Sequence, residues 1–322
     1  MIDRLLTIWE TLAPLSRVRR PIVLSLHDVR SAEWLRGLGE TLRGAWSPIA
    51  LGEFVRLHRA RALNREHVAV TFDDGFRSMR TIVEPVLTGL EIPFTTFVCG
   101  DLLDGGPAPW FYRVERLLRD HPAPRLAAFW RLPAAPMTSG FVLVNALKAA
   151  PFPRIISGLE QAERTLGADP AVLREDFLSP ADLSALARNP LATVGSHTMR
   201  HPILSALSAQ DQEREIAHSG EILAAIVGYE PTLLAYPNGK PEDFGAATIE
   251  ALRRNGFEGA VTTVQRPVGL HDDPFRLPRL GVSEGDGVRK IRLKRAVPWL
   301  GRGDVLEART RRRFAATWSG PG

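Results

Sequence analysis

At 322 residues, 44% of them hydrophobic and 24% charged, the chain can bury a large core and is neither fibrous nor broadly disordered. No apolar run approaches the ~18–20 residues that span a bilayer, and a single cysteine, Cys99, excludes an intrachain disulfide. The net charge of +5 is concentrated in residues 289–322, where ten Lys/Arg face only Asp304 and Glu307; the body is left at −3, which disfavours a nucleic-acid partner.

The first stretch, MIDRLLTIWETLAPLSRVRRP, places Ile2, Leu5, Leu6, Trp9 and Leu12 on one helical face, so an amphipathic helix is expected over 1–20. It lacks the continuous apolar core and small-residue cleavage site of a signal peptide. The chain therefore reads as cytoplasmic. This helix either packs against the domain or rests on a lipid surface, and the basic tail over 289–322, with its Trp299, Leu300, Phe314 and Trp318, is either a solvated, partly disordered end or a weak contact with the inner face of the membrane.

From residue 21 short apolar runs alternate with helical patterns, the mark of β/α architecture with parallel strands. PIVLSLHD (21–28) is a first strand and HVAVTFDD (67–74) a second. A helix over 77–90, with Pro85 as a local kink, leads to a third strand, IPFTTFVCG (92–100). Residues 101–180 break the rhythm. They are proline-rich and mainly helical between the breaks, and read as an insertion on the β→α side of the barrel, a lid or a substrate wall. Its Trp110, Phe111 and Tyr112 suit either a sugar-stacking surface or core packing.

LATVGSH (191–197) is a fourth strand. Ser208 caps a helix over 209–228 that Gly228 closes. Strand TLLAYP (232–237), helix 244–256, strand GAVTT (259–263) and a last strand near RLPRLGV (276–282) follow. About seven parallel strands predict a distorted (β/α)7-type barrel over 21–288, carrying the helical insertion.

In such folds chemistry gathers at the carboxyl ends of the strands. There this sequence presents His27, Asp73, Asp74, His197 and Tyr236. His197 and His201 are four apart, so on a helical turn both imidazoles would face one ion; alone, the pair also describes two surface histidines. DDG alone is more often a turn or a helix cap. Together at two strand ends, DDG and HxxxH suggest two imidazoles and a carboxylate around a borderline divalent ion, with a second carboxylate left to accept a proton.

TFDDG (71–75) and SHTMRH (196–201) resemble the first two motifs of the polysaccharide deacetylase, or NodB-homology, family of metal-dependent carbohydrate esterases. DGFRSMRTIVEPVLTGLEIPFTTFV resembles that family's first β-α-β unit, and LLAYPNGKPEDF (233–244) its third-motif region. The resemblance covers roughly 20–100 and 190–283. It implies Asp73 as general base, Asp74, His197 and His201 as metal ligands, and the backbone N–H of Tyr236 as an oxyanion donor. The family's third-motif arginine, two residues before the proline, is missing from LAYPNG; Arg279 could reach the same place, and Asp272 or Asp273 could stand for the fourth motif. No C-terminal general-acid histidine follows residue 271, so His27, with Asp28 as an orienting partner, takes that role as in members whose barrel is circularly permuted.

The expected activity is hydrolysis of the N-acetyl group of an amino sugar in a glycan, oligosaccharide or lipid-linked precursor. Zinc is the default ion, and the same ligands would accept cobalt, nickel or manganese. A deformylase or amidase using the same site, and a catalytically silent carbohydrate-binding homologue, are the alternatives.

Overall fold

The computed structural model describes residues 20–284, 286 and 311; the amphipathic segment predicted over 1–20 and nearly all of the basic tail lie outside them. The strands are β1 Ile22–Leu26, β2 Ser47–Pro48, β3 His67–Phe72, β4 Phe94–Val98, β5 Ala192–Ser196, β6 Leu233–Ala235, β7 Gly259–Val261 and β8 Leu280–Gly281. Every pairing is parallel, in the order β7-β6-β5-β4-β3-β1-β8, with the two-residue β2 added to β3. A parallel bridge between Val261 and Leu277 brings the two ends of the sheet together. The sheet thus curls toward closure, a distorted (β/α) barrel.

The strands read as unbroken apolar runs because both faces are covered. In β1 and β3 alternate residues face opposite ways. Ile22, Leu24, Val68, Val70 and Phe72 join the outer core against α1 (Ala32–Ala45) and α3 (Glu84–Gly89), whereas Val23 and Ala69 join the inner core with Phe97, Leu233, Ala235 and Val261. Helix α2 (Leu51–Arg59) plugs the inner core with Leu51, Phe54 and Val55.

Above that plug the inward row changes character. Ser25, Thr71, Thr95 and Thr193 are register partners across four adjacent strands. One inward step further toward the strand ends come His27 and Asp73, and two steps beyond Thr193 comes His197. The interior is apolar at the bottom, hydroxylated in the middle and ionisable at the top.

The reading of 77–90 as one helix needs correcting. A π turn, Met79–Val83, runs into α3, whose first turn carries Pro85; the missing N–H of the proline is absorbed where one bond is missing anyway. Helices α1 and α2 lie in a stretch, 29–66, where sequence reasoning assigned nothing. Between β4 and β5 the chain forms α4 (Gly100–Leu103), α5 (Trp110–Asp120), α6 (Ala123–Ala127), α7 (Gly140–Leu147), α8 (Phe152–Leu166) and α9 (Pro180–Ala187). Helices α5 to α8 share a separate apolar cluster including Trp110, Val114, Trp130, Leu143, Phe152 and Leu159. No helix among the described residues is long and apolar enough to cross a membrane.

Candidate metal and acid–base site

The end of β3 delivers the two carboxylates by different means. Asp73 keeps sheet geometry, donating its N–H to Leu26 O at 2.9 Å, and so faces the barrel interior. Strict alternation would turn Asp74 outward. Instead Asp74 adopts φ 71° and Gly75 φ 73°, a left-handed turn that swings the second carboxylate back over the barrel. A Cβ on Gly75 would lie 2.8 Å from a Val98 methyl, so this position needs glycine for both conformation and space.

Arg279, wholly buried, binds Asp73 with both Nη atoms at 2.7 Å. Its Nε donates to Thr262 O at 2.8 Å and Nη1 also donates to Thr71 Oγ1 at 3.0 Å. Burial alone would push the Asp73 carboxyl up. The guanidinium, aided by His197 and His27, overrides it and holds the group well below the usual carboxylate range.

Asp74 has no Arg or Lys contact among the described residues. Its Oδ1 lies 3.4 Å from His197 Nε2 and 3.8 Å from His201 Nε2. The predicted helical turn under the histidine pair is absent: residues 197–201 form a loop with Thr198 at φ 66° and His201 at φ 57°. That loop is shaped from outside. Glu215 of α10 (Ala209–Val227) accepts from the N–H groups of Met199 and Arg200 at 3.1 and 2.9 Å and from Arg200 Nε at 2.8 Å. His197 Nδ1 meets Ala235 O at 2.7 Å, a contact that places a proton on Nδ1 and orients the ring so that Nε2 faces Asp74. Among the described residues, four of the seven non-glycine residues at positive φ, namely Asp74, Thr198, His201 and Asn238, lie on these strand-end loops, the clustering expected where backbone strain serves a site.

Asp74, His197 and His201 offer ligand atoms all within 4.8 Å of one another, and all three are buried. Ligand separations of 3.4 and 3.8 Å are close to the ~3.4 Å edge of a tetrahedron with ~2.1 Å bonds. The electrostatics agree. Burial opposes charge on both rings, yet the aspartates push His197 up, while His201, facing His197 as well, is pushed down to about 3. With Arg279 committed to Asp73, the Asp74 carboxylate lacks a full counter-charge, and a divalent cation fits that deficit.

His27 stands at the end of β1, 58% exposed, with Nε2 3.9 Å from Asp73 Oδ2. Asp28 does not orient it: its oxygens take Ser78 Oγ at 2.8 Å and Arg30 Nε at 3.1 Å. Asp272 pairs with Arg266 and Asp273 caps the turn at Phe275, so neither supports Arg279. The Tyr236 expectation also changes. Its N–H donates to Val261 O at 3.1 Å and its hydroxyl to Phe275 O at 2.8 Å, because β6 pairs with β7 through this residue. Pro237 has no N–H. The next amide is that of Asn238, at φ 59°, and no described hydrogen bond occupies it.

The helical insertion touches the loops after β3 and β5. Leu178 N–H donates to Gly75 O and Arg77 N–H to Asp176 O, and Phe76 stacks on Phe177 at 4.9 Å. Trp110 Nε1 donates to His201 O at 3.0 Å, and the Phe111 ring lies 4.6 Å from the His201 ring. Trp110 is 2% exposed and supports the site from behind rather than forming a sugar wall. Trp110→Phe is expected to leave His201 O without its donor and to weaken divalent-ion affinity roughly 10–100-fold, measured by chelator competition. Unchanged affinity would show that the indole only fills space.

Glu215 and Asn238 were not singled out from sequence, and Trp110 was read there as a sugar wall or core residue, not as a support for His201. A glutamate on the buried face of α10 and an amide just past a strand-end proline were the available signals.

Comparison with known proteins places this geometry. Residues 60–260, more than half of the chain, match the family profile described as polysaccharide deacetylase. YxkH of Bacillus subtilis (strain 168), whose name carries the same description, is 26% identical over 108 residues, 34% of this chain; the match spans 37% of that relative's length. Among solved structures, the Streptococcus pyogenes deacetylase PplD in complex with acetate superposes with a TM-score of 0.56 at 13% identity, covering 85% of this chain and 96% of that one. A de-N-acetylase from Aggregatibacter actinomycetemcomitans gives 0.55 at 14%, over 85% and 99%. IcaB from Ammonifex degensii gives 0.52 at 21%, over 82% and 92%. At these identities the likeness concerns the fold.

Proposed function

The chain belongs to the polysaccharide deacetylase family, and we propose that it removes the acetyl group from an N-acetylated amino sugar. The observation that carries this reading is the pairing of two unlike carboxylates on one strand end: Asp73 locked by Arg279, Asp74 facing two imidazoles.

Asp74, His197 and His201 would hold a divalent ion, zinc by default. When bound, such an ion supplies a Lewis acid that polarises the amide carbonyl and lowers the pKa of water. Asp73 then accepts a proton from the attacking water; its carboxylate is fixed in place by two guanidinium bonds, which favour the ionised form. The Asn238 N–H, first past Pro237, takes over from Tyr236 as donor to the developing oxyanion. His27, at the open edge and close to Asp73, protonates the departing amine. The products are acetate and a free amino sugar.

The exposed position of His27 supports a substrate that approaches from solvent, an N-acetylhexosamine in a glycan, oligosaccharide or lipid-linked precursor. The amphipathic 1–20 stretch and the basic 289–322 tail fit a cytoplasmic enzyme resting against the inner face of the membrane.

The test is acetate release from a panel of N-acetylhexosamine substrates, with and without chelator. Turnover should appear on at least one sugar and vanish on chelation. His197→Ala should lose both turnover and bound ion, and a fully active His197→Ala protein would overturn the ligand assignment. Release of formate, or turnover of non-sugar amides alone, would move the reading to a deformylase or amidase.

A further inference from the structure

The barrel alone does not shape the loop after β6, residues 237–243. Asn238 holds φ 59° and Gly239 φ 66°, consecutive left-handed residues that need local support. The Asn238 carbonyl accepts from Thr263 Oγ1 at 2.7 Å. Its Nδ2 donates to Asp243 Oδ2, which also accepts from Lys240 N–H at 2.9 Å. Two cations complete the arrangement. Lys148 Nζ, just past helix α7, donates to Asn238 Oδ1 at 2.7 Å. Arg311 Nη1 forms an ion pair with Asp243 Oδ1 at 2.6 Å, its side chain 13% exposed and that of Asp243 fully buried.

We propose that Lys148 and Arg311 are positioning residues that hold the Asn238 loop in its reactive shape, so that the helical insertion, through Lys148, and the C-terminal residue Arg311 are working parts of the active site. The inference rests on the reading of Asn238 N–H as oxyanion donor. Lys148 fixes the amide side chain from one side and Asp243 from the other, leaving the residue no freedom to leave the left-handed region. Arg311 holds the Asp243 carboxylate by Oδ1, which leaves Oδ2 turned toward the Asn238 Nδ2 and Lys240 N–H groups that it accepts. Arg311 is one of the ten basic residues of a tail that composition alone reads as a solvated end or a weak membrane contact. In this arrangement at least one of them faces the catalytic domain.

The experiment uses the full chain with Lys148→Met, Arg311→Met and the conservative Lys148→Arg and Arg311→Lys. It reads acetate release, bound divalent ion, and amide hydrogen exchange at residues 237–243. Each Met variant should lower kcat about 10–100-fold, less than outright loss of an oxyanion donor, with KM changed less than about threefold. Bound ion should match the parent, exchange at 237–243 should quicken at least tenfold, and the conservative variants should recover most of the activity. An active parent whose Met variants keep kcat within twofold would overturn the positioning role alone. Should the parent release no acetate from any sugar, the reaction reading fails, and exchange still decides: unchanged protection in the Met variants overturns the proposal. Loss of bound ion in step with kcat would equally count against it, because the cations would then serve the metal loop and not this one.

Discussion

Asp73→Asn is expected to reduce kcat by about 10²–10⁴-fold while the divalent ion stays bound. The two halves of that statement come from different residues. The ligand atoms belong to Asp74, His197 and His201, none of which the substitution alters. Among the described residues, the carboxylate at this rim that lies outside the ligand set and is fixed in direction, by two guanidinium bonds, is that of Asp73. Asparagine keeps the shape and one acceptor but cannot take a proton from water. The substitution has a structural side effect, since Arg279 is left buried opposite a neutral amide. The measurement is therefore made well below the thermal midpoint of the variant, with near-UV circular dichroism confirming the packed state and ion content determined on the same sample. A metal-loaded, folded Asp73→Asn protein within tenfold of parent kcat would remove Asp73 as the base.

The parts of this site that sequence made legible are those fixed by chain-local chemistry. An apolar strand running into DDG, and HxxxH at another strand end, carry their meaning in adjacent letters, and parallel β/α topology then brings the strand ends to one rim. Ser208 and Gly228 marked α10 for the same reason, because caps are local. What stayed hidden depends on which atoms the fold has already used. Tyr236 looked free as a residue, but its N–H is a ladder bond, and ladder partners are set by a strand 25 residues away. The turn that points Asp74 into the site is a backbone angle, and alternation along the strand gives the opposite answer. Helices α1 and α2 carry regular buried faces, Leu35, Leu38 and Leu42 in one and Leu51, Phe54, Val55 and His58 in the other, so they were legible by period though unassigned; what the sequence does not show is that α2 finds its partners by plugging the barrel. Arg279 was named as a substitute for a missing arginine, and the structure places it 2.7 Å from both oxygens of Asp73, 206 residues away.

That contact carries the largest stability effect expected for the protein. Arg279→Met should cost about 3–5 kcal/mol, the usual consequence of removing one member of a buried ion pair and leaving the other charged. Arg279 is wholly buried and Asp73 3% exposed, so water cannot take over the missing bonds; Thr262 O and Thr71 Oγ1 lose a donor at the same time. The pH dependence follows in sign. In the parent, Asp73 titrates well below its unfolded value of about 3.9. Its contribution is therefore fully present above that value and fades as pH falls below it. Without the guanidinium, burial acts against the charge with only His27 and His197 to oppose it, and the folded carboxyl titrates higher. The acid-side gain should shrink, and once the folded value passes the unfolded one it reverses, so that stability is lost as pH rises. Urea unfolding of the chelator-treated protein between about pH 3 and 8 measures both effects, with Arg279→Lys as the intermediate: it restores the charge but neither the bidentate geometry nor the Nε bond. The acid limb of the rate profile should move to higher pH in the same order, parent, Lys, Met. A Met variant within 1 kcal/mol of the parent, with an unchanged pH slope, would mean that the pair seen at 2.7 Å does not hold the base.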